Sequence, residues 1–197
     1  MIFIKLFFSS YISSLIIVII LSSILFYLST IQNNSYASNN SDYYFSSNDL
    51  YCWPTPGYHQ ITSYFGPRKS PTSGASSNHS GIDIAASEGS SIYSVTGGIV
   101  TFTGFNGAYG HTIIISNNNL DFLYAHVSPS YLVSTGEFIE ANTIIANVGP
   151  KYLTEGNSSY IDSSGKFTNG ATTGPHLHLT IKKDGIAVNP LLYFNKD

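Results

Sequence analysis

Two widely separated segments of the chain carry the side chains with the clearest chemistry. One holds His79 and Asp83 around a glycine, and the other holds His176 and His178 in a run of strand-forming residues. Alternate residues of a strand point to one side, and a histidine and a carboxylate four apart can converge from a turn. Two imidazoles and one carboxylate form the incomplete tetrahedral shell that zinc uses when a position stays open for water. The two segments therefore predict a metal-dependent hydrolase.

The remaining histidines divide into two groups. Spacing alone does not decide which of His176 and His178 would bind the metal. Whichever of the two does not bind it would lie beside the metal site. His126 ends another predicted strand, after a tyrosine and an alanine. An imidazole near its ordinary pKa of about 6.5 can take or give a proton at neutral pH, so these two would handle protons and the oxyanion. His59 and His111 have no such neighbours, which favours a surface or packing role.

The elements that must position these side chains are predicted to be strands. Short runs rich in β-branched or aromatic residues are bounded by glycine or asparagine, and no long amphipathic helix is evident between 50 and 197. The predicted strands are 99–105, 111–115, 120–126, 135–140, 143–149, 176–183 and 186–188. We expect an all-β fold whose antiparallel sheets form an open groove rather than a closed barrel.

Residues 149–174 form a segment too long for an ordinary connection. It is rich in glycine, asparagine, serine and threonine, and it ends directly before the strand with the histidine pair. Long loops of this kind are often functional. The segment is either a lid or substrate-contacting wall of the groove, or plain surface decoration.

The composition excludes several classes of protein. The net charge is -3 and only 10% of residues are charged, which gives no electrostatic case for a nucleic-acid partner. The single cysteine, Cys52, excludes an intramolecular disulfide framework and a cysteine-based zinc shell. Its role is that of a small apolar packing residue or a free thiol. The alternatives are an intermolecular disulfide or a nucleophile, and no neighbouring residue supports either of them.

The N-terminus predicts export or membrane attachment. No charged residue occurs between Lys5 and Asp42, and residues 11–31 are apolar enough to cross a bilayer. Lys5 favours an inside N-terminus. The segment is an uncleaved anchor, or a signal cleaved near Ala37, which ends a small-x-small sequence. We therefore expect a single-pass protein of the cell membrane with an extracytoplasmic catalytic domain, or a secreted protein.

The predicted domain organisation follows from these features. Residues 1–31 are a membrane anchor or signal segment, 32–52 a polar linker, and 53–197 one catalytic domain.

A set of short motifs in order along the chain resembles the lysostaphin/LytM-type zinc metallopeptidases, which cleave peptidoglycan. The resemblance covers about residues 54 to 191. The motifs are SYFGPR at 63–68, HSGID at 79–83, YAH at 124–126, GEFIEA at 136–141, VG at 148–149 and TGPHLH at 173–178. Segment 149–174 is longer than in many members of this family, so the resemblance does not determine the shape of the groove.

The resemblance implies a role for each site residue. His79, Asp83 and His178 would be the zinc ligands, and His126 and His176 the catalytic histidines. It also implies an antiparallel β-sheet core with zinc at the floor of a narrow groove. The implied substrate is a cross-bridge or stem peptide of peptidoglycan, cleaved by an endopeptidase. Which bond is cut, and the oligomeric state, do not follow from the sequence.

Two other functions compete with this one. Some proteins of the same fold are non-catalytic scaffolds that activate other wall hydrolases or bridge sporulation membranes, and these commonly lose a ligand. All five site residues are present here, which favours the enzyme. A carbohydrate-binding β-module would account for the aromatic residues but would leave the five converging groups unexplained.

Overall fold

A computed structural model describes residues 51–194, together with Ser22. Residues 51–194 belong to the unit Leu50–Asp197. The predicted anchor and nearly all of the predicted linker lie outside the described residues, so the predicted domain boundaries stay predictions. Within the described residues, no helix has the length and the apolar character needed to cross a membrane.

Residues 51–194 form short strands, and the only helical elements in this range are the two 3-10 turns Gly107–Tyr109 and Pro190–Leu192. The strands are β1 (Ile61–Ser63), β2 (Gly66–Pro67), β3 (Asn78–His79), β4 (Ile82–Ala85), β5 (Ser91–Tyr93), β6 (Gly98–Phe105), β7 (His111–Asn117), β8 (Leu120–Ala125), β9 (Phe138–Ile139), β10 (Ile144–Asn147), β11 (His176–Lys183) and β12 (Ile186–Val188). All strand pairings in this range are antiparallel. The prediction of an all-β antiparallel fold is confirmed.

One eight-stranded sheet carries most of the domain. Its strand order is β1-β4-β11-β8-β7-β6-β9, and β12 also pairs with β11. The pairs β5–β10 and β2–β3 form two small separate sheets. Strand β11 lies inside the large sheet, between β4 and β8, so its backbone is held from both sides.

Alternation along β11 separates the core from the other face of the sheet. Leu177, Leu179 and Ile181 are fully buried in the hydrophobic core. The residues that alternate with them, His176, His178 and Thr180, therefore project from the opposite face. Because the leucines and the isoleucine fix the register of the strand, they also fix the direction of the histidines.

The strands before residue 98 were not predicted from the sequence, and two predicted strands are shorter than expected. Strands β1 to β5 have two to four residues each. Segment 135–140 contributes only Phe138–Ile139, and segment 143–149 contributes Ile144–Asn147. Strands this short contain too few residues to show an alternating pattern in the sequence.

Candidate metal centre

Pairing of β4 with β11 brings two predicted ligands side by side. Asp83 lies opposite His178 in the register of the two strands. His79 ends β3, and only Ser80 and Gly81 separate it from β4. A Cβ atom at Gly81 would collide with the carbonyl oxygen of Leu179, so the chain can pass this close to β11 only with a glycine.

The three predicted ligands form one buried cluster. His178 Nδ1 lies 2.8 Å from Asp83 Oδ1 and 2.9 Å from His79 Nε2. His79 Nε2 lies 3.2 Å from Asp83 Oδ1. All three residues are buried. Among the described residues these side chains form a group whose ligand atoms all lie within 4.8 Å of one another.

Hydrogen bonds on the outer side of the cluster orient each ligand. His79 Nδ1–H donates to the carbonyl oxygen of Tyr64 at 2.9 Å. His178 Nε2 lies 2.8 Å from Thr180 Oγ1. The second oxygen of Asp83, Oδ2, accepts a hydrogen bond from Arg68 at 2.8 Å. Partners of this kind fix the tautomer and the orientation of metal ligands, and they leave His79 Nε2 and Asp83 Oδ1 facing inward.

The protonation states at neutral pH suit a cation. Burial raises the pKa of Asp83, but the polar contacts with His176, His178 and His79 outweigh it and hold this pKa well below its usual range. Burial lowers the pKa of His178, against the opposing effect of Asp83. Asp83 is therefore ionised and His178 neutral, as metal ligands must be. Two imidazole nitrogens and one carboxylate oxygen are ligands that zinc accepts, so the residues present fit this metal.

The two predicted catalytic histidines lie next to this cluster and next to each other. The ring centroids of His126 and His176 are 4.7 Å apart, and His176 Nε2 lies 3.6 Å from Asp83 Oδ1. Each Nδ1–H donates to a backbone carbonyl, that of Asn169 at 2.7 Å and that of Gly174 at 2.8 Å. Burial lowers the pKa of His126 well below its ordinary value, so its ring is neutral at pH 7.

The cluster forms the floor of a cleft of about 610 Å³. One wall comes from segment 68–76, and the other from residues 108–109 and 171–175. The sequence left two alternatives for segment 149–174, a wall of the groove or surface decoration. In the structure the end of this segment lines the cleft. Residue Tyr160 of the same segment reaches the opposite wall.

The contact of Tyr160 with segment 68–76 has two parts. Its hydroxyl donates to the carbonyl oxygen of Ser73 at 3.2 Å. The same hydroxyl occupies the space where a Cβ atom at Gly74 would stand, and Gly74 has a φ of 78°. Segment 149–174 is therefore attached to both walls of the cleft.

His59 and His111 lie outside the residues that line the cleft. His59 is exposed and stacks on Trp53 at a centroid distance of 5.7 Å. His111 is buried, and its two ring nitrogens contact the hydroxyl of Tyr131 and the carbonyl oxygen of Asn157. The surface and packing roles expected from the sequence agree with these positions.

Sequence reasoning missed the residues that support the site. Thr180 could have been found, because it follows His178 by two positions on the same face of β11. Arg68 belongs to a motif of the resemblance but had no assigned role. Asn169 lies in a segment without periodicity, and no local signal marks it.

The buried His–Asp–His cluster at the floor of the cleft, on an antiparallel β-fold, could hold a metal ion. The sequence profile of Peptidase family M23 matches residues 77–190. The chain belongs to this family. The predicted resemblance to lysostaphin/LytM-type peptidases is confirmed.

Two curated relatives have different activities in their names. The chain is 32% identical over 135 residues to the DD-carboxypeptidase/endopeptidase Mpg of Neisseria meningitidis serogroup B, which covers 68% of this chain and 27% of the relative. It is also 32% identical over 145 residues to the murein hydrolase activator NlpD of Salmonella typhimurium, covering 72% of this chain and 30% of the relative. The chain thus spans little more than a quarter of the length of these relatives.

Solved structures show the same fold. A zinc-containing peptidase from Vibrio cholerae has a TM-score of 0.55 and 26% identity, over 74% of this chain and 39% of that one. The catalytic domain of lysostaphin from Staphylococcus simulans has a TM-score of 0.53 and 21% identity, over 68% of this chain and 91% of that domain. The second likeness concerns the fold alone.

Proposed function

We propose that the protein is a zinc-dependent endopeptidase that hydrolyses peptide bonds in bacterial peptidoglycan, in the cross-bridge or the stem peptide. The observation that carries this proposal is the floor of the cleft, where a metal-ligand cluster and two further histidines lie side by side. Similarity to the DD-carboxypeptidase/endopeptidase Mpg supports peptide-bond hydrolysis as the reaction. The expected place of action, outside the cytoplasm, depends on residues 1–31 and stays a prediction.

His79, Asp83 and His178 would hold the zinc. Bound there, zinc would supply Lewis acidity and make hydroxide available near neutral pH. Thr180 and Arg68 hold two of the ligands in orientation through the hydrogen bonds described above.

His126 and His176 would transfer protons in this reaction. Both donate Nδ1–H to backbone carbonyls, which leaves the lone pair of each Nε2 available for a proton. A neutral imidazole beside the floor of the cleft can take the proton of the attacking water and later give it to the leaving amine. Once protonated, either ring also stabilises the developing oxyanion.

A second candidate is an activator of other wall hydrolases. Similarity to the activator NlpD favours it, because this relative has the same 32% identity to the chain as the endopeptidase has. An activator has no need of a complete catalytic set, whereas all five groups converge here. For that reason the enzyme is the main proposal and the activator the alternative.

The test is cleavage of defined muropeptides by the purified full-length chain, with and without a chelator, with new ends identified by mass spectrometry. We expect cleavage that the chelator abolishes and added zinc restores. His178→Ala should lose bound zinc and activity, and His126→Ala should lose activity while keeping zinc. His59→Ala is the matched control, since His59 is exposed and lies outside the cleft lining.

Two results would contradict the proposal. One is a zinc-loaded wild-type chain that cleaves no muropeptide but accelerates a second wall hydrolase, which would establish the activator. The other is a His126→Ala protein that digests cell wall as fast as the wild type, which would remove His126 from the mechanism.

A further inference from the structure

Segment 149–174 reaches the proton-transfer side of the cleft through one residue, Asn169. The backbone carbonyl of Asn169 accepts the hydrogen bond from His126 Nδ1 at 2.7 Å. A carbonyl oxygen can only accept, so the proton of a neutral His126 lies on Nδ1 and the lone pair on Nε2. This contact therefore determines which nitrogen of His126 acts as a base.

Asn169 itself is held firmly in place. Its Oδ1 accepts from the backbone N–H of His111 at 2.8 Å, and its Nδ2 donates to the carbonyl oxygen of Val127 at 2.9 Å. Its own backbone N–H donates to the carbonyl oxygen of Lys151 at 2.9 Å. The residue is 0% exposed. A buried polar group with its hydrogen bonds satisfied makes its surroundings rigid.

Two glycines make room for Asn169. A Cβ atom at Gly110 would collide with its carbonyl oxygen, and one at Gly149 would lie 2.5 Å from its Nδ2. His126 has a φ of 57°, a left-handed conformation that non-glycine residues adopt only when their surroundings impose it. The backbone around His126 is thus arranged so that Asn169 fits directly against it.

We propose that Asn169 is the positioning residue of His126. It acts through its backbone carbonyl on the ring nitrogen, and its side chain keeps that carbonyl in place by binding β7 at His111 and the residue after His126. Asn169 is not among the residues that line the cleft. In its catalytic consequence the inference rests on the proposed function, in which His126 transfers protons.

The test compares Asn169→Ala with Asn157→Ala in the zinc-loaded full-length chain. Asn157→Ala is a matched control, because Asn157 lies in the same segment, is exposed, and loses only a side-chain hydrogen bond to Thr154. The imidazole nitrogen NMR shifts of His126, assigned with His126→Gln, report its tautomer. Steady-state kinetics on a muropeptide report kcat and KM separately.

We expect wild type and Asn157→Ala to show His126 only as the Nδ1–H tautomer. Asn169→Ala should show a mixture of tautomers and a kcat lowered roughly 100-fold, as for other small misplacements of catalytic groups. Its zinc content should be unchanged and its KM within about twofold, because substrate binding is not affected. If Asn169→Ala keeps the wild-type tautomer and kcat, or if Asn157→Ala causes the same loss, the inference is wrong.

A second variant covers the case in which Asn169→Ala does not fold. Asn169→Asp keeps the acceptor for His111 and replaces only the donor to Val127, and we expect a tautomer mixture and a reduced kcat here too. Failure of the proposed function can be distinguished from failure of this inference. A wild-type chain with a single Nδ1–H tautomer and no turnover contradicts the proposed function alone, whereas turnover with an Nε2–H tautomer contradicts this inference alone.

Discussion

Replacing Thr180 by valine should weaken metal binding without disturbing the ligands themselves. If His178 gives the Nδ1 lone pair to a metal ion, its proton lies on Nε2 and needs an acceptor. Thr180 Oγ1, 2.8 Å away, is in position to accept it. Valine has nearly the same shape as threonine but accepts no hydrogen bond, so Thr180→Val leaves a buried donor unpaired in the metal-bound protein.

The magnitude follows from the difference between the two states. Without metal, His178 can move its proton to Nδ1 and donate to Asp83 Oδ1 at 2.8 Å, so the metal-free protein loses little. The cost of an unpaired buried donor, about 1–3 kcal/mol, therefore falls on the metal-bound state. This corresponds to a roughly 5- to 150-fold higher dissociation constant for zinc. The range agrees with the 10–100-fold typical of hydrogen-bond partners of metal ligands.

Competition with a zinc chelator measures this change, and Thr112→Val is the matched control. Thr112 is as fully buried as Thr180, and its hydroxyl donates to the carbonyl oxygen of Gly110, outside the ligand cluster. That carbonyl also accepts from the backbone of Asn106, so it keeps a partner in the control. The reasoning fails if Thr180→Val binds zinc as tightly as wild type, or if Thr112→Val weakens binding equally.

Two further predictions concern residues outside the ligand cluster. Burial lowers the pKa of His111, so as pH falls the unfolded chain takes up a proton near pH 6.5 before the folded chain does, and the free energy of unfolding decreases as pH drops from 7 through 6.5. His111→Gln should reduce the slope of this free energy against pH by at most about 1.4 kcal/mol per pH unit. Urea titrations between pH 5 and 7 measure the slope, and an unchanged slope would contradict the prediction. Tyr160→Ala should release segment 68–76 and raise KM for a muropeptide by roughly three- to tenfold with little change in kcat. Gly74→Ala displaces the same hydroxyl and should have the same effect. A fall in kcat at constant KM would show that the contact serves catalysis instead.

The sequence predicted the strand that carries the site better than the residues that support it. Strand β11 was readable because Leu177, Leu179 and Ile181 alternate with polar residues within this eight-residue strand. The ligand Asp83 was readable from its spacing to His79, although its strand β4 was not. Asn169 and Tyr160 were unpredictable, because their roles depend on long-range contacts with residues 43 and 87 positions away. Non-local contacts of this kind leave no periodic trace in a single sequence.

The site is held by two different kinds of structure. The proposed metal ligands belong to β3, β4 and β11, and side chains such as Thr180 and Arg68 orient two of them. The two histidines proposed to transfer protons are oriented by the backbone carbonyls of Asn169 and Gly174. Changes in that segment can therefore abolish proton transfer while the sheet still binds metal.

This division bears on the choice between endopeptidase and activator. A bound zinc ion would report only the half of the site that the sheet builds, which both kinds of protein can keep. The half built by residues 169–174 serves proton transfer in the proposed mechanism, and it requires a left-handed His126 and glycines at 110 and 149. Such a costly arrangement around a histidine that binds no metal favours catalysis. Turnover of a muropeptide by the wild-type chain, and its loss in the Asn169 variants, therefore discriminate between the two functions better than the metal content does.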